Sequence, residues 1–252
     1  MKYSIVIPTY NHCDDLLKPC LESIFKYSDI ADVELIISAN GCKDNTFEYL
    51  GALKDKYTTV GLPDNLKIVW NSAPLGFAKA TNAGINVATT NRIVLLNNDA
   101  ILLPEGKNDW LTTLNSAFEN NPQCGISCVL TKHSDVTNRL FAIFFCVMID
   151  RKVFNAIGLL NEEYGVGGHE DTEFSIKAEA AGFEIEQPIP IVWSEEAMLH
   201  IGHFPIYHKG EGTVHDPALV SEWTKIFHNN ELKLAQKYNP LWYEQHKNDV
   251  IL

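Results

Sequence analysis

The chain predicts an α/β fold: a mostly parallel central sheet flanked by helices, with polar loops gathered at one sheet edge. Three observations carry this. Short β-branched runs alternate with segments of helical period as far as Asp99, the pattern of consecutive βαβ units. Each of those early runs closes on Pro, Gly, Asn or Asp, residues that end strands and begin loops. The 252 residues, 46% of them apolar, suffice for one large core.

The elements follow in order. YSIVIP (3–8) is a buried-type strand closed by proline, and the stretch 13–28 places Leu16, Leu17, Cys20, Leu21, Ile24 and Phe25 at helical spacing. DVELIISANG (32–41) is a second strand opening into a glycine loop, followed by a helix over 44–57 that Asp44 or Asn45 caps. NLKIVWN (65–71) is a strand, 76–88 a helix, and NRIVLLNND (91–99) a fourth strand. Beyond residue 105 the alternation loosens. A helix over 108–122 precedes a strand over 124–132, and RLFAIFFCVMID (139–150) reads as one long apolar strand. A short helix at 151–158 leads to a Gly-rich loop running into a helix over 163–185. The tail 217–239 is helical and amphipathic.

Bulk properties exclude several classes. A net charge of −12 without any Lys/Arg-rich block argues against a nucleic-acid binder. Six dispersed cysteines with no CxxC pair argue against a zinc knuckle or a disulfide framework, so reduced thiols and a cytoplasmic compartment are expected. The N-terminal apolar run is too short for an export signal, and no window has the ~18–20 apolar residues of a membrane span. Peripheral contact with a membrane through a lipid-linked substrate stays open.

In open parallel sheets, ligands bind beyond the carboxyl ends of the strands. The polar residues that follow each strand fall there: Thr9, Tyr10 and Asn11; Asn40 to Asp44; Asn71; Asn97 to Asp99. Four such loops exceed what turn chemistry requires, and a binding site is expected at that edge.

Four segments, in order, carry a family resemblance: SIVIPTYNHCDDLLKPCLESI (4–24), ELIISANGCKDNT (34–46), the stretch 71–102 with GFAKATNAG and NND, and the stretch 147–185 with GGHED. From about Ser4 to about Thr213 the chain resembles the family 2 glycosyltransferases of the GT-A fold. The resemblance implies a Rossmann-like nucleotide-sugar-binding half (1–104) and an acceptor-binding, catalytic half (105–215), with 216–252 as a C-terminal helical extension. It also implies inverting transfer of a sugar from a nucleotide-sugar donor, UDP-linked by preference, to a glycan or lipid-linked glycan acceptor, assisted by Mn²⁺ or Mg²⁺.

By the same resemblance, Asp99 is the leading metal ligand, because hard cations take oxygen donors and bridge diphosphate oxygens. Asn97 and Asp99 occupy the two acidic positions of a DXD-type motif, Asn97 as an amide, with Asn98 between them. Asp171 is the expected general base and Glu170 its neighbour that positions the acceptor or the loop; the plain alternative is a pair of helix-N-terminal carboxylates. Pro8, Thr9, Tyr10 and Asn11 form the nucleotide-contacting loop, Tyr10 stacking on the base or packing beneath it. Ala39 stands where the family carries an acid, so Asn40 is expected to supply an amide contact. Gly76 is expected to let backbone approach the nucleotide, and Lys79 or Asn82 to reach phosphate or ribose. Among His200, His203, His208 and His215, His203 and His208 lead as a further metal or diphosphate ligand. The competing expectation is a GT-A-like domain that binds nucleotide or glycan without catalysis. A nicotinamide-binding Rossmann enzyme is disfavoured because no GxGxxG follows any strand.

Overall fold

The computed structural model describes residues 1–189, 204–210 and 220–249. A seven-stranded sheet forms its centre. Its strands are β1 (Tyr3–Thr9), β2 (Val33–Asn40), β3 (Leu66–Asn71), β4 (Arg92–Leu96), β6 (Cys124–Cys128), β9 (Cys146–Asp150) and β10 (Glu184–Glu186). The spatial order is β10-β6-β9-β4-β1-β2-β3. β9 runs antiparallel to both of its neighbours, and every other pairing in this sheet is parallel.

The period-2 pattern of the strands divides two apolar layers. Ile5, Ile7, Leu35 and Ile37 face helices α1 (Lys18–Tyr27), α2 (Thr46–Thr59) and α4 (Asp109–Asn120), which contribute Leu21, Leu50 and Trp110. Val6, Ile36, Ile93 and Leu95 face α3 (Phe77–Val87), α5 (Arg151–Ile157) and α6 (Glu170–Ala180), which contribute Ile85, Phe154 and Phe174. Each fully buried aliphatic side chain stabilises the fold by about 1.5–3 kcal/mol. Between the strands, Glu34 is fully buried yet accepts hydrogen bonds from Ser4 Oγ (2.5 Å), Lys67 Nζ (2.5 Å) and the Thr89 N–H (2.8 Å), so its charge is paired rather than stranded.

Two antiparallel pairs leave the sheet: β5 (Ala100–Leu102) with β11 (Ile206–His208), and β7 (Thr131–His133) with β8 (Leu140–Ala142). These revise two expectations. The apolar run 139–150 is not one strand; it breaks at Ile143–Phe145, with β8 in the small hairpin and β9 in the large sheet. The run 124–132 breaks likewise at Val129–Leu130. A continuous apolar run has no period from which such a break can be read. The six cysteines are all free thiols.

The long C-terminal helix α7 (Val220–Tyr238) and the short α8 (Pro240–His246) follow. Leu234 and Ala235 of α7 bury against Ile176 of α6 and Val136, with Tyr238, Trp242 and Tyr243 alongside. None of the described helices is long and apolar enough to cross a membrane.

Candidate active site

The first two loops at the carboxyl edge are stitched to each other. Asn11 and His12 adopt left-handed backbone (φ 51° and 55°), which turns the chain sharply after β1; Asn tolerates that region better than most residues. Asn11 Oδ1 accepts from the Lys43 N–H (2.8 Å), and the Asn11 N–H donates to Cys42 Sγ (3.3 Å). Asp44 accepts from the Cys13 N–H (2.8 Å), the Thr46 N–H (3.2 Å) and Thr46 Oγ1 (2.6 Å), so it ties the first loop to the start of α2 as well as capping that helix. Thr9 is buried and its Oγ1 accepts from Asn98 Nδ2 (3.0 Å), linking the ends of β1 and β4. Pro8, at the end of β1, and Tyr10, at the start of the loop, are half-buried. Asn11, His12 and Cys13 face Lys43, Asp44 and Asn45 across an open depression of about 460 Å³.

Three residues expected to touch the donor are engaged with the chain itself. Asn40 is buried; its Oδ1 accepts from the Leu75 N–H (2.8 Å) and its Nδ2 donates to the Gly76 carbonyl (3.4 Å), so its amide holds the loop after β3. Gly76 has φ 85°, and a Cβ on it would sit 1.9 Å from the Gly165 carbonyl oxygen. The glycine is therefore required by contact with another segment of the chain. Asn82 is buried on α3, where it donates to the Leu160 carbonyl (2.9 Å) and Glu162 Oε1 (3.0 Å) and accepts from the Leu160 N–H (3.1 Å). Its amide fastens the 160–162 segment and is not turned outward to a phosphate or ribose. Ala39, in the position where an acid was expected, is 1% exposed and packs in the core. Lys79 is exposed on α3.

The turn after β4 meets β11. The antiparallel register pairs His208 with Ala100, which brings His208 Nε2 to 3.1 Å from Asp99 Oδ1. The Lys209 N–H donates to the Asp99 carbonyl (3.1 Å), and the His208 ring stacks on Phe145 (centroids 4.3 Å apart, planes 15° apart). Asp99 is 7% exposed. The Asn97 N–H donates to the Phe145 carbonyl (2.8 Å), while its Oδ1 is buried without a hydrogen-bond partner among the described residues. The Asp99 carboxylate and the Asn97 amide oxygen on the turn after β4, with the His208 imidazole brought in by β11, are donor types that fit a hard divalent cation sharing its remaining positions with phosphate oxygens or water. Among the described residues no cluster of three or more His, Cys, Asp or Glu side chains forms a closed metal cage. His203, expected as a further ligand, and His200, His215 and Trp193 lie outside the described residues.

The acidic pair sits at the start of α6. His169 precedes it in left-handed backbone (φ 73°), and burial of its ring pushes its pKa down to about 4. Glu170 is buried and its pKa is pushed up to about 8 by desolvation and then by the neighbouring Asp171. Asp171 is raised to about 6, again by desolvation, although hydrogen bonds from the Thr172 N–H (2.6 Å), Thr172 Oγ1 (3.2 Å) and the Phe144 backbone act in the opposite direction. Among the described residues neither carboxylate has a cationic partner, and Glu170 Oε2 is buried without a hydrogen bond. The third acid of this turn, Glu173, differs. It accepts from Asn161 Nδ2 (2.9 Å) and pairs with Lys237 (3.3 Å). Helix-dipole stabilisation would lower all three pKa values; burial reverses that for the first two only. Two raised, uncompensated carboxyls at a loop–helix junction form a proton-handling arrangement.

No role is expected for His169 from the sequence, where its one signal is a non-glycine residue set between GG and ED. Phe145, with Phe141 and Phe144 in one aromatic run, is expected as core or an acceptor-site wall; its stacking on His208 depends on the break between β8 and β9.

Comparisons with known proteins agree with this architecture. The family model described as Glycosyl transferase family 2 matches residues 4–142. A protein of Sinorhizobium fredii, described as uncharacterized protein y4gI, is 24% identical over 219 residues, covering 71% of this chain and 23% of that protein. Among solved structures, the mannosyltransferase PcManGT from Pyrobaculum calidifontis, in complex with GDP-Man and Mn²⁺, superposes with a TM-score of 0.59 at 17% identity over 74% of this chain and 54% of that one. S. aureus TarS 1-349 in complex with UDP-GlcNAc gives a TM-score of 0.53 at 17% identity, over 73% and 55%. GalNAc-T7 with UDP, GalNAc and Mn²⁺ gives 0.58 at 14%, over 73% and 41%. The chain thus spans about a quarter of the length of y4gI and about half of PcManGT and TarS 1-349. The shared architecture is the GT-A fold.

Proposed function

The chain belongs to glycosyl transferase family 2, and from that premise we propose that it is an inverting glycosyltransferase. Its donor is a nucleotide-diphospho-sugar, UDP-linked by preference, and its acceptor a hydroxyl of a glycan or lipid-linked glycan. The observation that carries this reading is the meeting of Asp99 and His208 at 3.1 Å, with Asn97 Oδ1 unsatisfied on the same turn. Asp99, His208 and the Asn97 amide oxygen would hold Mn²⁺ or Mg²⁺. A bound divalent cation would neutralise the charge that develops on the leaving diphosphate.

The remaining chemistry falls to the chain's own groups. The Asp171 carboxylate accepts the proton of the acceptor hydroxyl as its oxygen bonds to the anomeric carbon. The bond from that carbon to the diphosphate oxygen breaks, and the electron pair leaves with the nucleotide. Attack from the face opposite the leaving group inverts the anomeric centre. Desolvation raises both carboxyls of the pair, which makes Asp171 a stronger base than a free carboxylate. Glu170 positions the acceptor or the loop beside it. Thr9, Tyr10 and Asn11 belong to the nucleoside side, and Lys79, exposed on α3, is the candidate cation for phosphate.

A panel of UDP-, dTDP-, GDP- and CDP-sugars with Mn²⁺ and candidate glycan acceptors tests the proposal. Turnover that collapses in Asp171→Asn supports transfer with Asp171 as base. Nucleotide binding without turnover would favour the second reading, a GT-A-like binding domain, to which the loss of acids at positions 39 and 97 gives some support.

A further inference from the structure

The segment that delivers Glu170 and Asp171 has little capacity to hold its own shape. From Gly165 to His169, four of five residues have positive φ: Gly165 (64°), Gly167 (147°), Gly168 (93°) and His169 (73°). Glycines sample these regions freely in the unfolded chain, so fixing them costs more entropy than fixing other residues. The turn's own backbone bonds are few: Gly165 N–H to the Glu162 carbonyl (3.1 Å) and Gly167 N–H to the Tyr164 carbonyl (3.3 Å).

The start of α3 adds one bond, from the Phe77 N–H to the Val166 carbonyl (3.1 Å), and helix α7 supplies the side-chain anchors. Asn230 is 2% exposed, and its Nδ2 donates to both the Tyr164 carbonyl (2.8 Å) and the Gly167 carbonyl (2.9 Å), using both amide hydrogens on one loop. Lys233 Nζ donates to the Glu163 carbonyl (2.7 Å) and to Asn230 Oδ1 (3.2 Å), which fixes the amide's orientation. About one turn earlier, the Phe227 ring lies against the His169 ring (centroids 4.5 Å) and over Gly168, where a Cβ would come within 2.9 Å of it. About two turns later, Lys237 pairs with Glu173. One helix therefore grips the loop immediately before the acidic pair and the helical turn immediately after it.

We infer that α7 is a positioning element for the Glu170–Asp171 pair, acting chiefly through the two hydrogen bonds from Asn230 to the glycine loop. The inference rests on the proposed role of Asp171 as base. Asn230 reaches no reacting atom; it sets where the carboxylates stand. The family match ends at residue 142, so the loop, the acids and the clamp all lie beyond it. Misplacement of a catalytic group by ~1 Å can cost ~100-fold in rate, and the loops after β1 and β2 are built by other elements.

The test compares Asn230→Leu, which keeps the volume and removes both donors, with Asn230→Gln and Phe227→Ala. The readouts are kcat, donor KM, Tm and hydrogen exchange of the amides from Gly165 to Asp171. The expected result for Asn230→Leu is a fall in kcat of about tenfold or more, with donor KM within about twofold of wild type. Loop amides should exchange faster while those of β1–β4 do not, and Asn230→Gln should recover part of the loss. Unchanged kcat with unchanged loop exchange, or a rise in KM with kcat held, overturns the inference. If Asn230→Leu does not fold, Phe227→Ala at the partly exposed contact is judged by the same criteria. If Asp171→Asn retains activity, the base assignment fails. Loop exchange then decides the clamp separately: faster exchange in Asn230→Leu upholds it, and unchanged exchange removes it.

Discussion

The loops after β1, β2 and β3 and the junction entering α6 are both rich in polar side chains at one rim of the molecule, yet they treat those side chains oppositely. In the first region Asn11, Asn40 and Asp44 are bonded to backbone or to a neighbouring hydroxyl. In the second, Glu170 is buried and Asp171 half-buried, neither has a cation among the described residues, and Glu170 keeps an oxygen with no partner there. Satisfied polar groups in low dielectric give rigidity and a fixed surface. Under-satisfied carboxyls give shifted pKa values, which is what proton transfer uses. The first region is built as a wall, and in the proposed reaction the second is the reagent.

Substitutions can break this contrast, beginning with the largest effect. Asp171→Asn keeps the shape and removes the base, so kcat should fall by about 10²–10⁴-fold; steady-state assays with saturating donor measure it. His208→Ala should weaken activation by Mn²⁺ and reduce transfer, and a metal titration should show the requirement rising while the fold, followed by circular dichroism, persists. Chelation of divalent metal should abolish transfer in wild type under the same assay. In the wall, Asn82→Leu strands the Leu160 N–H and carbonyl inside α3's packing. That should cost about 1–3 kcal/mol of stability, visible in urea titration, with a smaller effect on kcat than Asp171→Asn produces.

The smallest effect is a pH dependence. The folded pKa values of Glu170 and Asp171 lie above those of the unfolded chain, so their contribution to stability is fully present below about pH 4 and declines as pH rises through about 6 and then about 8. Activity runs the other way over the lower part of that range, rising as Asp171 loses its proton near pH 6. Glu170→Gln should flatten the upper part of the stability decline in thermal melts from pH 5 to 9. An unaltered slope would mean that the buried carboxyl is not its source.

The same contrast explains what could be read from the sequence. The alternation of β-branched runs and helical periods gave the parallel sheet, and the polar residues after each strand marked its binding edge. Asp44 as a cap followed from its place before Thr46, and Asp99 and His208 were both candidates before their distance was known. What stayed hidden was direction. An Asn in a loop looks the same whether its amide faces a ligand or a neighbouring carbonyl, and Asn40 and Asn82 both proved to face the chain. Gly76 was recognised as a close-approach residue, but the approaching group is Gly165. The split of 139–150 into β8 and β9 was illegible because both halves are apolar throughout. The clamp from Asn230 was illegible because tertiary packing alone joins it to the glycine loop.

The break between β8 and β9 has a metrological consequence. Phe144 gives its backbone to the Asp171 carboxylate, while the next residue, Phe145, takes the Asn97 N–H on its carbonyl and the His208 ring on its face. Two consecutive residues, joined by the planar 144–145 peptide, thus carry contacts to Asp171 on one side and to Asn97 and His208 on the other. Displacement of this short segment would be felt at both places. A single-residue insertion at Phe144–Phe145 would detune both ends together, and no repacking elsewhere could recalibrate one without the other.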